Sequence, residues 1–349
     1  MSGEITGREF IAAIKKASIW HTAVACGAED GVLLLSDGLK PSMSLELDDS
    51  AGQPWIKDAD AGPMTVAGNL EGYMRYEGFD VVLALLCGQA GVPTLVGMSD
   101  AYTNTYQVTS SIDQLFATIA MLKLSAKVWE YPSAKIHGFK ISGEANKPLK
   151  LTLDVIADIL DRASTTNTAA TMANVTIPDS KNRIIMNSNA VFRINDQGDP
   201  ALDSTDQIFP SKFEFAFTRP MSAEPVAGQA GVDEPADDGF PTASLNLSFP
   251  RYNNANDGYF SDWEAETPKK MDITFTGKLI EAGYNYKFIL SFPHLRIDSP
   301  EAAVSGPGKI PMSLKAHVLG AASAPLGMTG LTAPFKLDVQ NKRSTDPLA

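Results

Sequence analysis

Apolar and polar residues alternate most cleanly between Lys135 and Val155. Lys135–Gly143 carries Ile136, Phe139 and Ile141. A turn over residues 144–148 contains Pro148, and Leu149, Leu151, Leu153 and Val155 then face one way while Lys150, Thr152 and Asp154 face the other. Side chains on a strand point to opposite faces in turn, so this pattern is a strand pair with one dry and one wet face. The same period returns at Phe213–Phe217, Leu245–Phe249, Met271–Phe275 and Tyr284–Phe292. It continues at Met312, Leu314, Ala316 and Val318, and again at Phe335, Leu337 and Val339. Upstream, residues 31–48 read as strand, turn at Asp37-Gly38, and strand; Tyr102–Val108 is a further strand.

Helical spacing is rarer. Tyr76, Phe79, Leu83 and Leu86 recur with a helical period in 71–88, and Gly88 suits a helix C-cap. A short helix fits Gly258–Glu266. The lead over residues 4–28 places Phe10, Ile11, Ile14, Ile19 and Trp20 at mixed helical spacing, which predicts a helix ended by Gly27. Leu115–Leu124 suits a long hairpin or a short helix. Residues 48–62 are polar and turn-rich with Trp55 as a lone anchor, and 163–182 is a small polar stretch expected to be a flexible connection. The acidic, Pro- and Gly-rich stretch 221–241 is expected to be an exposed loop.

The expected fold is therefore mainly β. Its parts are an N-terminal arm over 1–30, a first unit over 31–162, a linker over 163–184 and a second unit over 185–349. Each unit has several strands and one short helix. The halves share a layout but no sequence identity that would prove duplication.

Composition narrows the function. The chain has 349 residues, 44% of them hydrophobic and 20% charged, enough to bury real cores. Forty-one acidic against 29 basic residues give a net charge of −12. Such a polyanion does not grip nucleic acid through phosphates, although an acidic wall would let nucleic acid slide past. The two cysteines, Cys26 and Cys87, form no C-x-x-C pair and read as buried free thiols. Met1–Arg8 lacks the basic and apolar regions of a signal peptide, and no apolar run approaches the roughly 20 residues that cross a bilayer. A soluble cytoplasmic origin is expected.

Catalytic and metal signatures are weak. Residues 253–264 approach a calcium loop, but Ala255 stands where an oxygen ligand is needed, and Phe249–Tyr252 reads as strand. An ordinary turn and helix start, with Asp257 or Gly258 near the cap, accounts for it. His21, His137, His294 and His317 share no ligand spacing, and Gly97–Ala101 only echoes a nucleophile elbow. Gly306-Pro-Gly308 lacks the lysine of a phosphate loop. Phe213, Phe215 and Phe217 fall on one strand face and read as core; Lys269-Lys270 and Lys342-Arg343 read as isolated solvated pairs. No catalytic, cofactor-binding or metal-binding residue is assigned, and an enzyme is not expected.

Gly68, Leu70, Gly72, Arg75, Glu77 and Gly78 lead into the apolar run Val81–Gly88. Ile136, Phe139, Ile141, Leu151, Leu153 and Asp154 follow in the strand pair, and Phe260 and Trp263 precede the strands Met271–Thr276 and Tyr284–His294. Together these motifs resemble the tail tube proteins of long-tailed bacteriophages, over roughly residues 40 to 300. The resemblance implies a β-sandwich or barrel tube fold, with two fused tube domains in a chain of this length. Three chains would close a pseudo-hexameric ring, favoured over a hexamer, and stacked rings would form the conduit for DNA ejection. It also implies a long non-contractile (siphophage) tail, assembly in the host cytoplasm, and partners such as the tape measure and tail terminator proteins. DNA would pass without specific binding, and no membrane is involved. Two other classes fit less well: a contractile-tail or secretion-system tube, whose chains are usually near half this length, and a carbohydrate-binding or hydrolytic β-sandwich, which calls for a distinctive carboxylate pair.

Overall fold

The computed structural model describes residues 6–281 and 283–349, so residues 1–5 of the N-terminal arm lie outside the described residues. The protein is mainly β, and every strand pairing is antiparallel. In the first half the strands are β1 (Ile11–Ala17), β2 (Gly31–Val32), β3 (Leu34–Asp37), β4 (Lys40–Leu47), β5 (Ala59–Tyr73), β6 (Thr94–Leu95), β7 (Tyr102–Gln107), β8 (Phe116–Leu124), β9 (Lys127–Glu144) and β10 (Lys150–Ala157). Helix α1 (Asp80–Cys87) follows β5, and α2 (Ala169–Met172) follows β10. The second half holds β11 (Ala190–Asp196), β12 (Gln207–Ile208), β13 (Lys212–Thr218), β14 (Met221–Ser222), β15 (Ala236–Asp237), β16 (Thr242–Phe249), β17 (Lys269–Glu281), β18 (Tyr284–Glu301), β19 (Met312–Leu319) and β20 (Lys336–Asn341), with α3 (Gly258–Glu264) before β17. All strands except the ribbon β14–β15 belong to one hydrogen-bonded network of 18 strands.

Two runs of elements in this network follow the same order with the same partners. In the first, β2 pairs with β1, β1 with β8, β8 with β9, β9 with β10, β10 with β5, and β5 with β3 and β4. In the second, β12 pairs with β11, β11 with β17, β17 with β18, β18 with β19, β19 with β16, and β16 with β13. A 3-10 turn stands just before β2 (Ala28–Asp30) and just before β12 (Ser204–Asp206), and each run has its helix before its long hairpin.

The irregularities match as well. β8–β9 shifts register opposite Tyr131–Ala134, and β17–β18 shifts opposite Phe292–Leu295. β9–β10 shifts at Ile136/Gly138, and β18–β19 at Ile297/Ser299. These shifts superpose Tyr131-Pro132-Ser-Ala-Lys-Ile136 on Phe292-Pro293-His-Leu-Arg-Ile297. A bulge re-aims a strand, so its recurrence at matched prolines marks the same bend in both long strands. Strand pairing also crosses between the halves, β13 along β9 and β20 along β18 and β7.

The alternating segments pack as their pattern requires, with Leu149, Leu151, Leu153 and Val155 all buried in one continuous core with Phe213, Phe215 and Phe217. Several expectations need correction. The lead is not helical: Ile11–Ala17 is a strand paired along its whole length with β8. Ala12, Ala13, Ile14 and Ala17 are all buried, and Ala13 packs in a separate small cluster from Ala12 and Ile14, so apolar residues are buried on both faces and period two disappears. The helix expected over 71–88 is shorter. β5 runs to Tyr73, Gly78 takes φ +93°, a left-handed turn that suits glycine, and only Asp80–Cys87 is helical. Gly88 does cap it, at φ +86° with its N–H donating to the Ala84 carbonyl. Leu115–Leu124 resolves as strand β8 of a hairpin.

Trp55 is no anchor, being 71% exposed. The stretch 163–182 is anchored rather than loose: it contains α2, buries Asn167 and Met172, and ties the Cys26 N–H to Asn167 Oδ1. The acidic stretch 221–241 is exposed over most of its length but pinned in the middle. Val232 is buried, its carbonyl accepts from Trp20 Nε1, and the Pro235 carbonyl accepts from the buried Lys135.

Candidate assembly surfaces

The two longest strands, β9 and β18, each have 18 residues and organise the surfaces available to partners. Along β9, Ala134 pairs with β8 on one side and β10 on the other. Beyond it, Gly138–Glu144 pairs with β13, which therefore lies on the β8 side and continues where β8 ends. Alternation puts Phe213, Phe215 and Phe217 of β13 beneath this junction. The rings of Phe215 and Phe217 meet Phe139, Phe292 and Phe335 at centroid distances of 4.9–6.1 Å, mostly edge-to-face, the geometry aromatic quadrupoles favour, while Phe213 meets Phe192 and Phe275. On the wet face, Lys140 and Glu214 lie 3.6 Å apart.

Along β18 the same place is vacant. Leu295 pairs with β17 and β19, but among the described residues Ile297–Glu301 pairs only with β19, and its other edge is bare. β3 and β4 likewise pair only with β5. Every residue of β4 is exposed, and with the following segment it forms a projecting hairpin that displays Met43, Leu45, Leu47, Trp55 and Ile56. Leu45 is 64% exposed. Apolar side chains gathered on one arm, beside an unpaired edge, mark a contact surface rather than ordinary scattered exposure.

The buried polar groups are structural ties. Tyr106 donates to Asp80 Oδ1 at 2.7 Å, and Asn341 Nδ2 donates to that oxygen and to the Tyr76 carbonyl, each at 2.9 Å. This joins the start of α1 to β7 and β20, and burial with the neighbouring Asp80 charge pushes the Tyr106 phenol far up. Arg219, just past β13, reaches the carbonyls of Thr109 and Ser110 at 2.9 Å. Lys135 lies 2.6 Å from Glu234. Burial raises Asp158 above the usual carboxylate range although it accepts from the Ser133 and Ile159 amides and lies 3.2 Å from His21 Nδ1.

The histidines do not converge. His21 meets Asp158, His137 the Arg219 carbonyl, His294 the Gly320 carbonyl, and His317 lies 3.8 Å from Asp298. Among the described residues no group of three or more His, Cys, Asp or Glu side chains is placed to hold a metal ion. The calcium-like stretch forms a turn closed by Asn256 and Asp257 N–H groups on the Asn253 carbonyl, with Asp257 at the N-cap of α3. Cys26 and Cys87 are both free and buried, and burial pushes the Cys26 thiol up to about 12. No described helix is long and apolar enough to cross a membrane. Sequence reasoning missed the His21–Asp158 contact and the exposed arm. The arm had a signal in Met43, Leu45 and Leu47, whose alternation reads as half-buried strand until its second face proves equally open.

A β-rich chain with bare edges and a projecting apolar arm has the surfaces of a self-associating structural component. The sequence agrees: residues 11–329 match the family described as phage tail tube protein, and the chain belongs to that family. A search of curated proteins finds no match. Membership makes the chain a structural component of the virion that assembles, with other tail proteins, into the tail tube.

Proposed function

We propose that the chain is two fused tube units, that three chains close a pseudo-hexameric ring, and that stacked rings form the DNA conduit of a long non-contractile tail. The observation that carries this reading is the repeated order of elements, with its register shifts at Pro132 and Pro293. Residues 163–184 link the units, and β1 belongs with the first as its match β11 belongs with the second. A ring of such units meets along sheet edges, which removes the aggregation hazard of bare strands; a head-to-tail contact along the axis, which does not close, makes a filament. The net charge of −12 suits a lumen that repels DNA phosphates, so DNA passes without specific binding. The assembled protein is a virion component made in the host cytoplasm, its tube meeting a tape measure protein inside and a terminator at its end. It performs no catalysis.

Electron microscopy of the purified chain tests this. Views down the axis of assembled particles should show six lobes contributed by three chains around an open lumen. A chain that stays monomeric at every concentration, or rings of six whole chains, overturns the reading.

A further inference from the structure

The repeated layout allows the contact between two copies of the chain to be read from a contact within one. β13 of the second unit lies along Gly138–Glu144 of β9 in the first. The register shifts match β9 to β18, with Gly138 falling on Ser299 and Lys140 on Glu301. In the same way β13 matches the β3–β4 segment. Lys40 pairs with Ala67, which pairs with Ile156; Ala216 pairs with Ser244, which pairs with His317, the match of Ile156. Two edges are thus left over, one at each end of the chain's own series of units. They are the segment that corresponds to β13, residues 36–43 from the end of β3 into β4, and the edge that corresponds to the one β13 covers, residues 298–301 of β18 with the extension 302–305 that follows it.

We propose that residues 36–43 of one copy lie antiparallel along residues 298–305 of the next, in the register of β13 on β9. The inference rests on the two-unit reading, since it applies the step from first to second unit once more. Within the chain Ala216 stands opposite Lys140, so between copies Lys40 stands opposite Glu301. Ser42 meets Ser299, Leu39 meets Ala302, and Met43 meets Asp298. No rung sets like charges face to face, and the Lys40–Glu301 rung pairs opposite ones.

Two prolines shape this contact. Inside the chain the Arg219 N–H donates to the His137 carbonyl, so by antiparallel alternation the Phe217/Phe139 rung is also a bonded one. Its counterpart between copies is Pro41 opposite Pro300, a rung with no N–H to give. The backbone ladder is interrupted there and continues on either side. Proline facing outward from an edge strand also keeps that edge from accepting an unrelated strand. The contact between copies therefore carries fewer hydrogen bonds than its internal counterpart and leans on Lys40–Glu301 and the flanking rungs.

The full-length Lys40→Cys/Glu301→Cys variant tests the pairing after assembly and mild oxidation. Cys26 and Cys87 are buried and give a quiet background. Non-reducing electrophoresis should show covalent dimers and trimers, absent from either single variant and from the register-shifted pair Lys40→Cys/Ala303→Cys. Rings or tubes that form without this cross-link, or that cross-link equally in the shifted pair, overturn the pairing and leave the tube reading standing. A chain that remains monomeric overturns both. Charge reversal gives a second arm that disturbs only exposed side chains. Lys40→Glu and Glu301→Lys should each raise the concentration needed for assembly several-fold, and the double reversal should restore it. An absence of rescue counts against the register.

Discussion

Over Gly138–Ser142 the first long strand is held from both sides, while over the matching Ser299–Glu301, where the second long strand ends, it has one partner and one bare edge. The side chains differ accordingly. Phe139, Ile141 and Gly143 are buried in the first; Pro300 and, just past the end of the second, Ala302 and Val304 take their places, and Val304 is 70% exposed. A junction that forms once, during folding, is sealed with aromatic rings. An edge that must remain in water until a partner arrives carries small residues and a proline, because a long apolar edge would recruit any strand it met. The backbone layout is shared, and the side chains distinguish the edge covered within the chain from the one left bare.

The sharpest way to break that comparison is to truncate the matched positions. Phe139 packs against Phe215, Phe217 and Phe335 and is 1% exposed, so Phe139→Ala should cost about 3–5 kcal/mol in urea unfolding of the unassembled chain. Pro300→Ala at the matched position should cost at most about 1 kcal/mol, chiefly by loosening the unfolded chain. Equal costs at the two sites would mean that the two edges are not in different states.

The hairpin cores should instead behave alike. Leu153 and Leu314 are matched and both buried, so Leu153→Ala and Leu314→Ala should each cost about 2–5 kcal/mol. Each is a mid-strand leucine flanked by two partners, β9 and β5 in one case, β18 and β16 in the other. Unfolding of one half well before the other in either variant would show that the network, though continuous, is not cooperative across β9–β13.

How much of this was legible in the sequence depended on how many faces of a strand are buried. Leu149–Val155 and Phe213–Phe217 have one dry and one wet face, and their alternation gave strand and burial together. β1 buries apolar residues on both faces, so Ile11 and Ile14 fell at a spacing that also suits a helix, and its pairing with β8 decided the matter. The helix after β5 was visible in Phe79, Leu83 and Leu86, but its start was set by Gly78 and its turn. Acidity and proline content marked 221–241 as loop, yet could not show that the Val232 and Pro235 carbonyls are held by Trp20 and Lys135. The candidate surfaces were the least legible part. Which edge β13 covers is a long-range choice, and the matching vacancy on β18 has no local signal beyond Pro300.

Asp158 gives a smaller effect confined to the first half of the chain, since its match is Leu319, on the exposed end of β19. Burial raises its folded pKa above the unfolded value, so between the two the folded chain holds the proton more tightly and loses stability as pH rises. Above that window the penalty is constant. Asp158→Asn keeps an oxygen for the Ser133 and Ile159 amides and carries no charge to desolvate. Urea midpoints from pH 4 to pH 8 should therefore decline less for the variant than for the natural chain, with the variant the more stable at pH 8. Parallel pH profiles would remove burial of this carboxylate as the cause.

The smallest effect is expected at Lys140 and Glu214, on the wet face of the covered edge. Their groups lie 3.6 Å apart and both are close to half exposed, so solvent and salt screen them. Lys140→Ala should cost about 0.5 kcal/mol or less, and the difference should vanish in 1 M salt, where screening falls to about 3 Å. The match of Lys140 on the bare edge is Glu301, whose removal should leave the unassembled chain equally unmoved. If the two single-chain effects are both near zero, any loss of assembly caused by Glu301 variants comes from the contact between copies and not from a weakened fold. A large effect of Lys140→Ala on the isolated chain would instead show that charge, rather than the aromatic rings beneath, holds β13 on β9.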